Sequence, residues 1–177
     1  MTARVGPWIQ AYGGRPFYLL DPRPEDVDIG DIAHALSLLC RYTGHVREFY
    51  SVAQHCVYVS HECDPNHALD GLLHDAAEAY VADMSTPLKE VLPEYRRIEA
   101  RVHAAIAERF GIAKVPPECV RRADRAVLFA EVPVLMEPSW QPWAYTGLAA
   151  PGLVVEPWSP REAKARFMER WAQLGGG

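Results

Sequence analysis

Apolar residues recur every three to four positions along most of the chain, which is the period of an α-helix. Ile32, Ala35, Leu36 and Leu39 follow this spacing and predict a first helix, which Gly44 is suited to terminate. The same period predicts five further helices, over residues 51–63, 67–81, 95–110, 117–136 and 159–174. Residues 67–81 are rich in Ala and Leu, so we expect that third helix to be more buried.

Capping and helix-breaking residues mark several of the helix ends. Ser51 and Gln54 have the spacing of a capping box, in which the serine hydroxyl accepts a backbone N–H at the start of a helix. Gly111 closes the helix over 95–110. Pro87 disfavours helical backbone in the residue before it, which separates the third helix from the fourth. Pro133 predicts a kink or an early end near the end of the fifth helix.

Two stretches lack the helical period. The first thirty residues are rich in Pro, Gly and Asp and predict an irregular or short-strand lead-in, while residues 137–158 predict an ordered loop or a short hairpin. The whole chain, residues 1–177, is therefore expected to form a single all-α domain of about six helices.

Composition excludes several classes of function. No run of eighteen apolar residues is present and residues 1–12 do not have the pattern of a secretory signal, so we expect neither a membrane partner nor export. With 18 Lys+Arg against 23 Asp+Glu, the net charge of −5 disfavours binding to a nucleic acid polymer. The four cysteines form no CxxC pair. We therefore expect a cytoplasmic protein with reduced thiols.

One pair of residues stands out as candidate chemistry. His74 and Asp75 are adjacent within an otherwise apolar predicted helix, and both are normal ligands for a divalent transition metal. His55 and Asp124 supply the same ligand types from two other predicted helices. A His-Asp pair is more often a surface or capping feature, and a chain of this length offers many such combinations. Spacing alone leaves the metal site a hypothesis.

Four short motifs resemble those of one branch of the HD superfamily of metal-dependent phosphohydrolases. They are Cys40–Tyr42, Ser51–His55, His74–Glu78 and Asp83–Lys89. That branch contains the YfbR-type 5′-deoxynucleotidases and phage deoxynucleoside triphosphohydrolases. The motif-bearing part of the chain covers about residues 30–136 and implies an HD-domain helical bundle. One departure is Gln54, where the branch often carries Glu.

The resemblance implies a role for each residue at the catalytic centre. It makes His55, His74, Asp75 and Asp124 the ligands of one divalent transition metal, which would be Mn, Co, Fe or Zn. It makes Glu78 the general acid/base and places Asp83 in the active site, in contact with sugar or water. The alternatives are a solvated helix acid for Glu78 and a simple helix cap for Asp83.

The resemblance also implies a set of substrate-binding residues. Arg41 would hold phosphate oxygens and Tyr42 would stack on the sugar or base, although Arg41 could instead stabilise a helix end and Tyr42 the core. Gly44 would leave the base pocket without a bulky wall, which predicts weak discrimination between bases. His45 would lie at the pocket edge and Lys89 near a phosphate tail, with plain surface positions as the alternatives.

The implied substrate is a 5′-nucleotide, and in particular a deoxynucleotide. The motifs do not separate a nucleotidase acting on monophosphates from a triphosphohydrolase, because both activities share them. Two other interpretations stay open: a regulatory nucleotide-binding module with an inactive site, and an HD-type phosphodiesterase. Members of the branch form homo-oligomers, so the resemblance implies a homo-oligomer here too.

Overall fold

Helices make up most of the fold, which belongs to the all-α class that the sequence predicts. The computed structural model describes residues 4, 6–143 and 147–176. The helices within the described residues are α1 Ile29–Leu38, α2 Val52–Glu62, α3 Ala68–Leu73, α4 Glu78–Val81, α5 Thr86–Val91, α6 Pro93–Phe110, α7 Glu118–Leu135 and α8 Pro160–Gln173. Short 3₁₀ turns lie at Pro24–Asp26, Arg41–Gly44 and Pro65–His67. None of the helices in this described part is long and apolar enough to cross a membrane.

The N-terminal lead-in contains a small antiparallel hairpin, as its composition predicts. Strands β1 (Trp8–Gln10) and β2 (Pro16–Tyr18) pair with Ile9 opposite Phe17. Phe17 is buried and its ring stacks on Tyr80 of α4, with 3.8 Å between the ring centroids. The hairpin therefore covers one side of the helical core.

Helix α2 is the centre of the fold. It begins where predicted, because the Ser51 hydroxyl accepts the backbone N–H of Gln54 at 3.1 Å. Buried residues lie all around this helix, as expected for a helix enclosed by others. Helices α1, α3, α7 and α8 pack against it. Any functional side chain on α2 is consequently held by the core.

The predicted helix over residues 67–81 is wrong as one continuous element. The structure divides it into α3 and α4, and the residues between them bond at i→i−3, with Ala76 N donating to Leu73 O at 3.1 Å and Glu78 N to Asp75 O at 2.9 Å. The physical reason is the His74 ring, whose Nδ1 bonds the Gly71 carbonyl at 2.8 Å. In a continuous α-helix that carbonyl accepts the backbone N–H of residue 75.

Two prolines lie in the first turn of a helix, and a third lies within the last turn of another. Pro87 lies in the first turn of α5, a short helix that the sequence analysis did not predict. Proline suits this position because its missing N–H would be unsatisfied there anyway. Pro93 similarly opens α6, two residues before the predicted start at Tyr95. Pro133 lies inside α7, which ends two residues later at Leu135.

Residues 137–143 and 147–158, the described part of the predicted loop, contain neither helix nor strand. Gln54 on α2 anchors the end of this segment: its Nε2 donates to the carbonyl of Glu156 at 2.7 Å and its Oε1 accepts the N–H of Trp158 at 2.9 Å. Such a pair needs a donor and an acceptor on one side chain, which an amide has and a carboxylate lacks. This explains Gln where the resembling motif often has Glu.

Candidate metal centre

Helix α2 and the break between α3 and α4 bring three of the predicted ligands together. One side-chain ligand atom from each of His55, His74 and Asp75 lies within 4.8 Å of the other two. Asp75 Oδ2 is 3.2 Å from His74 Nε2 and 4.0 Å from His55 Nε2. The two imidazole rings are tilted by 56° with their centroids 5.3 Å apart. The rings and the carboxylate therefore face a common point.

Asp124, the fourth predicted ligand, approaches from α7. Its Oδ1 lies 3.1 Å from His55 Nε2. Helix α7 packs directly on α2 and brings Asp124 to the same nitrogen that faces Asp75. The structure thus groups His55, His74 and Asp75 closely and places Asp124 beside His55.

Hydrogen bonds fix which nitrogen of each histidine faces the cluster. His55 Nδ1 lies 2.7 Å from Glu131 Oε1, and His74 Nδ1 lies 2.8 Å from the Gly71 carbonyl. Both partners accept hydrogen bonds, so each Nδ1 carries its hydrogen and each Nε2 is left facing the carboxylates. Both Nε2 atoms are buried without an aligned hydrogen-bond partner among the described residues.

The carboxylates dominate the electrostatics around these two nitrogens. Burial would lower the pKa of His74, but Asp75 raises it well above its usual value. At His55, burial and Arg41 lower the pKa, but Glu131 and Asp124 raise it more, so the pKa lies above its usual value. Each Nε2 therefore lies where a positive charge is favoured, whether that charge is a proton or a metal ion.

Arg41 brings a guanidinium group to the same point. Its Nη1 lies 3.7 Å from Asp75 Oδ2 and its Nε lies 3.3 Å from Glu131 Oε2. The side chain is only 12% exposed. The backbone that carries it is held by the bridge between Cys40 and Ser51 at the start of α2. One oxygen of Asp75 consequently lies within 4.0 Å of a guanidinium group and of two imidazole nitrogens.

Glu131 is the site residue that sequence reasoning missed. It is fully buried on α7 and accepts hydrogen bonds from Tyr42 Oη at 2.7 Å and Tyr50 Oη at 2.8 Å, besides its contacts with His55 and Arg41. Burial would raise its pKa, but Arg41 and His55 hold it at about 2. Glu131 is therefore ionised, with both oxygens in use.

A signal for Glu131 was present in the sequence. It shares the buried face of α7 with four apolar residues that follow helical spacing: Val120, Ala123, Val127 and Leu135. An acid at such a position needs a partner in the core, because an isolated buried charge is strongly unfavourable.

Glu78 begins α4, at the end of the turn that carries Asp75. Side chains three residues apart nearly eclipse in a 3₁₀ turn, which directs Glu78 the same way as Asp75. Glu78 is 5% exposed, and burial together with Asp75 and Asp83 raises its pKa well above the usual value. Its Oε1 lies 3.2 Å from Lys89 Nζ, and its Oε2 is buried without a hydrogen bond within the described part of the chain.

Lys89 and Asp83 occupy the side of the cluster nearest α5. Lys89 Nζ lies between Glu78 and Glu99, 2.7 Å from Glu99 Oε1, so its charge is held by two carboxylates. Burial raises the pKa of Asp83, with Asp75 acting in the same direction and Arg41 in the opposite one. Asp83 follows Ala82, whose φ of 69° and ψ of 158° are unusual for a residue with a side chain.

The residues predicted to lie around the base, Tyr42, Gly44 and His45, differ in their contacts. The Tyr42 hydroxyl is bound to Glu131, and the Tyr42 ring meets Trp143 edge-on at 6.5 Å. Gly44 has a φ of 81°, which only glycine adopts without strain, and a Cβ there would meet nothing within 4 Å. His45 is exposed, and its backbone N–H donates to the Tyr42 carbonyl at 3.0 Å.

Comparison with known proteins supplies relatives of this chain. It is 38% identical over 169 residues to the uncharacterized protein YfdR of Escherichia coli strain K12, which covers 94% of this chain and 95% of YfdR. The chain belongs to the YfdR family. It is also 37% identical over 129 residues to an uncharacterized protein of Rhodobacter capsulatus, covering 67% of this chain and 66% of that protein. No protein-family model matches the chain.

Proposed function

We propose that this protein is a metal-dependent phosphohydrolase of the HD superfamily that acts on nucleotides. One observation carries the proposal: a guanidinium group and two inward-facing imidazole nitrogens approach the same carboxylate. Asp75 Oδ2 lies 3.2 Å from His74 Nε2, 4.0 Å from His55 Nε2 and 3.7 Å from Arg41 Nη1. A site of this kind can hold a metal ion and a phosphate group side by side.

The donor set fits a divalent transition metal. His55, His74, Asp75 and Asp124 would hold it through two imidazole nitrogens and two carboxylates, a mixture that suits Mn, Co, Fe or Zn better than Ca. The buried Nε2 atoms support this assignment, because each lacks an aligned hydrogen bond among the described residues. When bound, the metal would supply Lewis-acid polarisation of a phosphoryl oxygen.

Arg41 would bind the phosphoryl oxygens. Its guanidinium group is largely buried, and charge-assisted hydrogen bonds to phosphate are strong in such an environment. Asp75 and Glu131 hold the orientation of the group. Glu78 would handle the proton. Burial, Asp75 and Asp83 raise its pKa, which favours its protonated form. Glu78 would give that proton to the leaving oxygen as water attacks phosphorus and the P–O bond breaks.

The proposed substrate is a 5′-nucleotide, with a deoxynucleotide favoured by the motif resemblance. Tyr42 and Trp143 form an aromatic edge beside Arg41 that could receive a sugar or base. We further propose a cytoplasmic homo-oligomer. Release of phosphate from monophosphates and release of triphosphate from triphosphates are both compatible with these residues.

The test uses metal-stripped protein resupplied with Mn, Co, Zn or Mg. Each sample is incubated with ribo- and deoxynucleoside mono- and triphosphates, and products are separated by ion-exchange chromatography. Phosphate from monophosphates would indicate a nucleotidase, and nucleoside plus triphosphate would indicate a triphosphohydrolase. His74→Asn should abolish turnover, whereas the matched control His61→Asn, at an exposed position on α2, should not.

Other outcomes separate the alternative functions. Nucleotide binding and metal binding without turnover would favour the regulatory module. Faster hydrolysis of a linear or cyclic dinucleotide than of any mononucleotide would favour the phosphodiesterase. Failure of the metal-stripped protein to retain any of Mn, Co, Fe and Zn would refute the proposed centre.

A further inference from the structure

Glu131 divides its two oxygens between the two halves of the proposed site. Oε1 accepts from His55 Nδ1 at 2.7 Å and from Tyr50 Oη at 2.8 Å. Oε2 accepts from Tyr42 Oη at 2.7 Å and lies 3.3 Å from Arg41 Nε. One oxygen thus orients a metal ligand and the other orients the residues placed to bind phosphate.

From this geometry we propose that Glu131 is a positioning residue that couples metal binding to phosphate binding. The inference rests on the metal and phosphate roles of the proposed function. Glu131 touches neither ligand itself. It orients His55, whose Nε2 would bind the metal, and it contacts Arg41 and Tyr42, which would bind the substrate.

Burial makes this arrangement rigid. Glu131 is fully buried, as are Tyr50 and His55, so water cannot replace a lost partner cheaply. The groups that meet Glu131 come from α2, from the Arg41–Gly44 turn and from the residue before Ser51, and they are separated from it by 76 to 90 positions in sequence. The positions of His55 and Arg41 therefore depend on the same carboxylate.

Three substitutions separate the two halves. Tyr50→Phe removes a partner of Oε1 alone, Tyr42→Phe removes a partner of Oε2 alone, and Glu131→Gln disturbs both because an amide offers one acceptor oxygen and a donor NH₂. Each variant is first checked by circular dichroism and thermal melting. All three exchanges preserve size, and the two Phe variants keep the aromatic ring.

Two probes report on the halves without requiring turnover. Co²⁺ titrated into metal-stripped protein reports on His55 through its visible absorption spectrum and its affinity. Inorganic phosphate, titrated calorimetrically into the Co²⁺-saturated protein, reports on Arg41. Loss of the carboxylate behind a metal-ligating histidine typically weakens metal binding about 10- to 100-fold.

The two Phe variants are expected to affect different probes. Tyr50→Phe should weaken Co²⁺ binding and shift its spectrum while phosphate affinity changes less than about twofold. Tyr42→Phe should do the reverse, and Glu131→Gln should weaken both. Unchanged Co²⁺ spectra and phosphate affinity in Glu131→Gln would overturn the inference, as would equal losses at both probes in both Phe variants, which indicate general loosening. If Glu131→Gln does not fold, the two Phe variants decide alone.

This outcome is distinct from that of the proposed function. A split between the Phe variants in a protein that hydrolyses no nucleotide would leave the coupling intact and refute the phosphohydrolase. Nucleotide turnover without a split between the Phe variants would support the phosphohydrolase and refute the coupling role of Glu131.

Discussion

Gly71→Ala should destabilise the protein because α3 passes very close to α2 at this position. A Cβ on Gly71 would lie 2.7 Å from Cys63 Sγ, 3.1 Å from Ser60 Cα and 3.3 Å from Ser60 N. The sulfur can rotate away in part, but the Ser60 backbone belongs to the central helix and cannot. The helices must therefore separate slightly to admit one methyl group.

The expected magnitude follows from two opposing effects. Overpacking of a well-packed contact costs about 1–3 kcal/mol, and the greater helix preference of Ala over Gly returns up to about 1 kcal/mol. We expect a net loss of about 1–2 kcal/mol in the free energy of unfolding, which for a chain of this size lowers the melting temperature by about 2–8 °C.

The substitution should also weaken metal binding, because the Gly71 carbonyl orients His74 through its Nδ1 at 2.8 Å. Urea unfolding and Mn²⁺ titration calorimetry measure the two effects. Cys63→Ala supplies the matched background: removing Sγ should reduce the cost of Gly71→Ala by about 0.5 kcal/mol or more. The reasoning is refuted if Gly71→Ala is as stable as the wild type, or costs the same in both backgrounds.

Three further predictions concern the phosphate site, the proposed base pocket and pH. Arg41→Lys keeps the charge but loses the planar guanidinium, so it should raise KM for the nucleotide at least tenfold. Arg47→Lys, at an exposed position, should leave KM unchanged, and steady-state kinetics measures both variants. Gly44→Ile would be strained by the positive φ, so base preference is better tested with Gly44→Asn, and an unchanged preference would argue against a gate there. Burial and Lys164 lower the pKa of His34, so the unfolded chain binds more protons and stability should fall as the pH drops below about 6.5. Lys164→Met should reduce that fall, measured as the difference in the free energy of unfolding by urea between pH 7 and pH 5. An unchanged difference would exclude Lys164 as a cause of the fall.

The helical period predicted most of the fold because most helices here bury one apolar stripe. The capping pair Ser51 and Gln54 placed the start of α2 correctly. The break after Leu73 was not predictable from apolar spacing, since it depends on one imidazole bonding a backbone carbonyl. Helix α5 was not predicted because it is short and because Pro87 indicates a helix break as readily as a helix start.

The candidate site was also predictable only in part. Residue type and motif order indicated His55, His74, Asp75 and Asp124 as possible partners, and the structure gathers them. The sequence could not show that Lys89 would be held by Glu78 and Glu99 instead of facing a free phosphate tail, because that pairing joins separate helices. The roles of these residues in catalysis stay predictions until turnover is measured.

The amide of Gln54 makes the attachment of the C-terminal segment indifferent to acidity. A carboxylic acid at this position could hold both the Glu156 carbonyl and the Trp158 N–H only while protonated, and would repel the carbonyl once ionised. An amide does not titrate, so the attachment of the segment leading into α8 to α2 does not depend on the ionisation of the neighbouring acidic groups. On α2, the residue that anchors this segment is thereby distinct from His55, the next residue, which is proposed to bind metal.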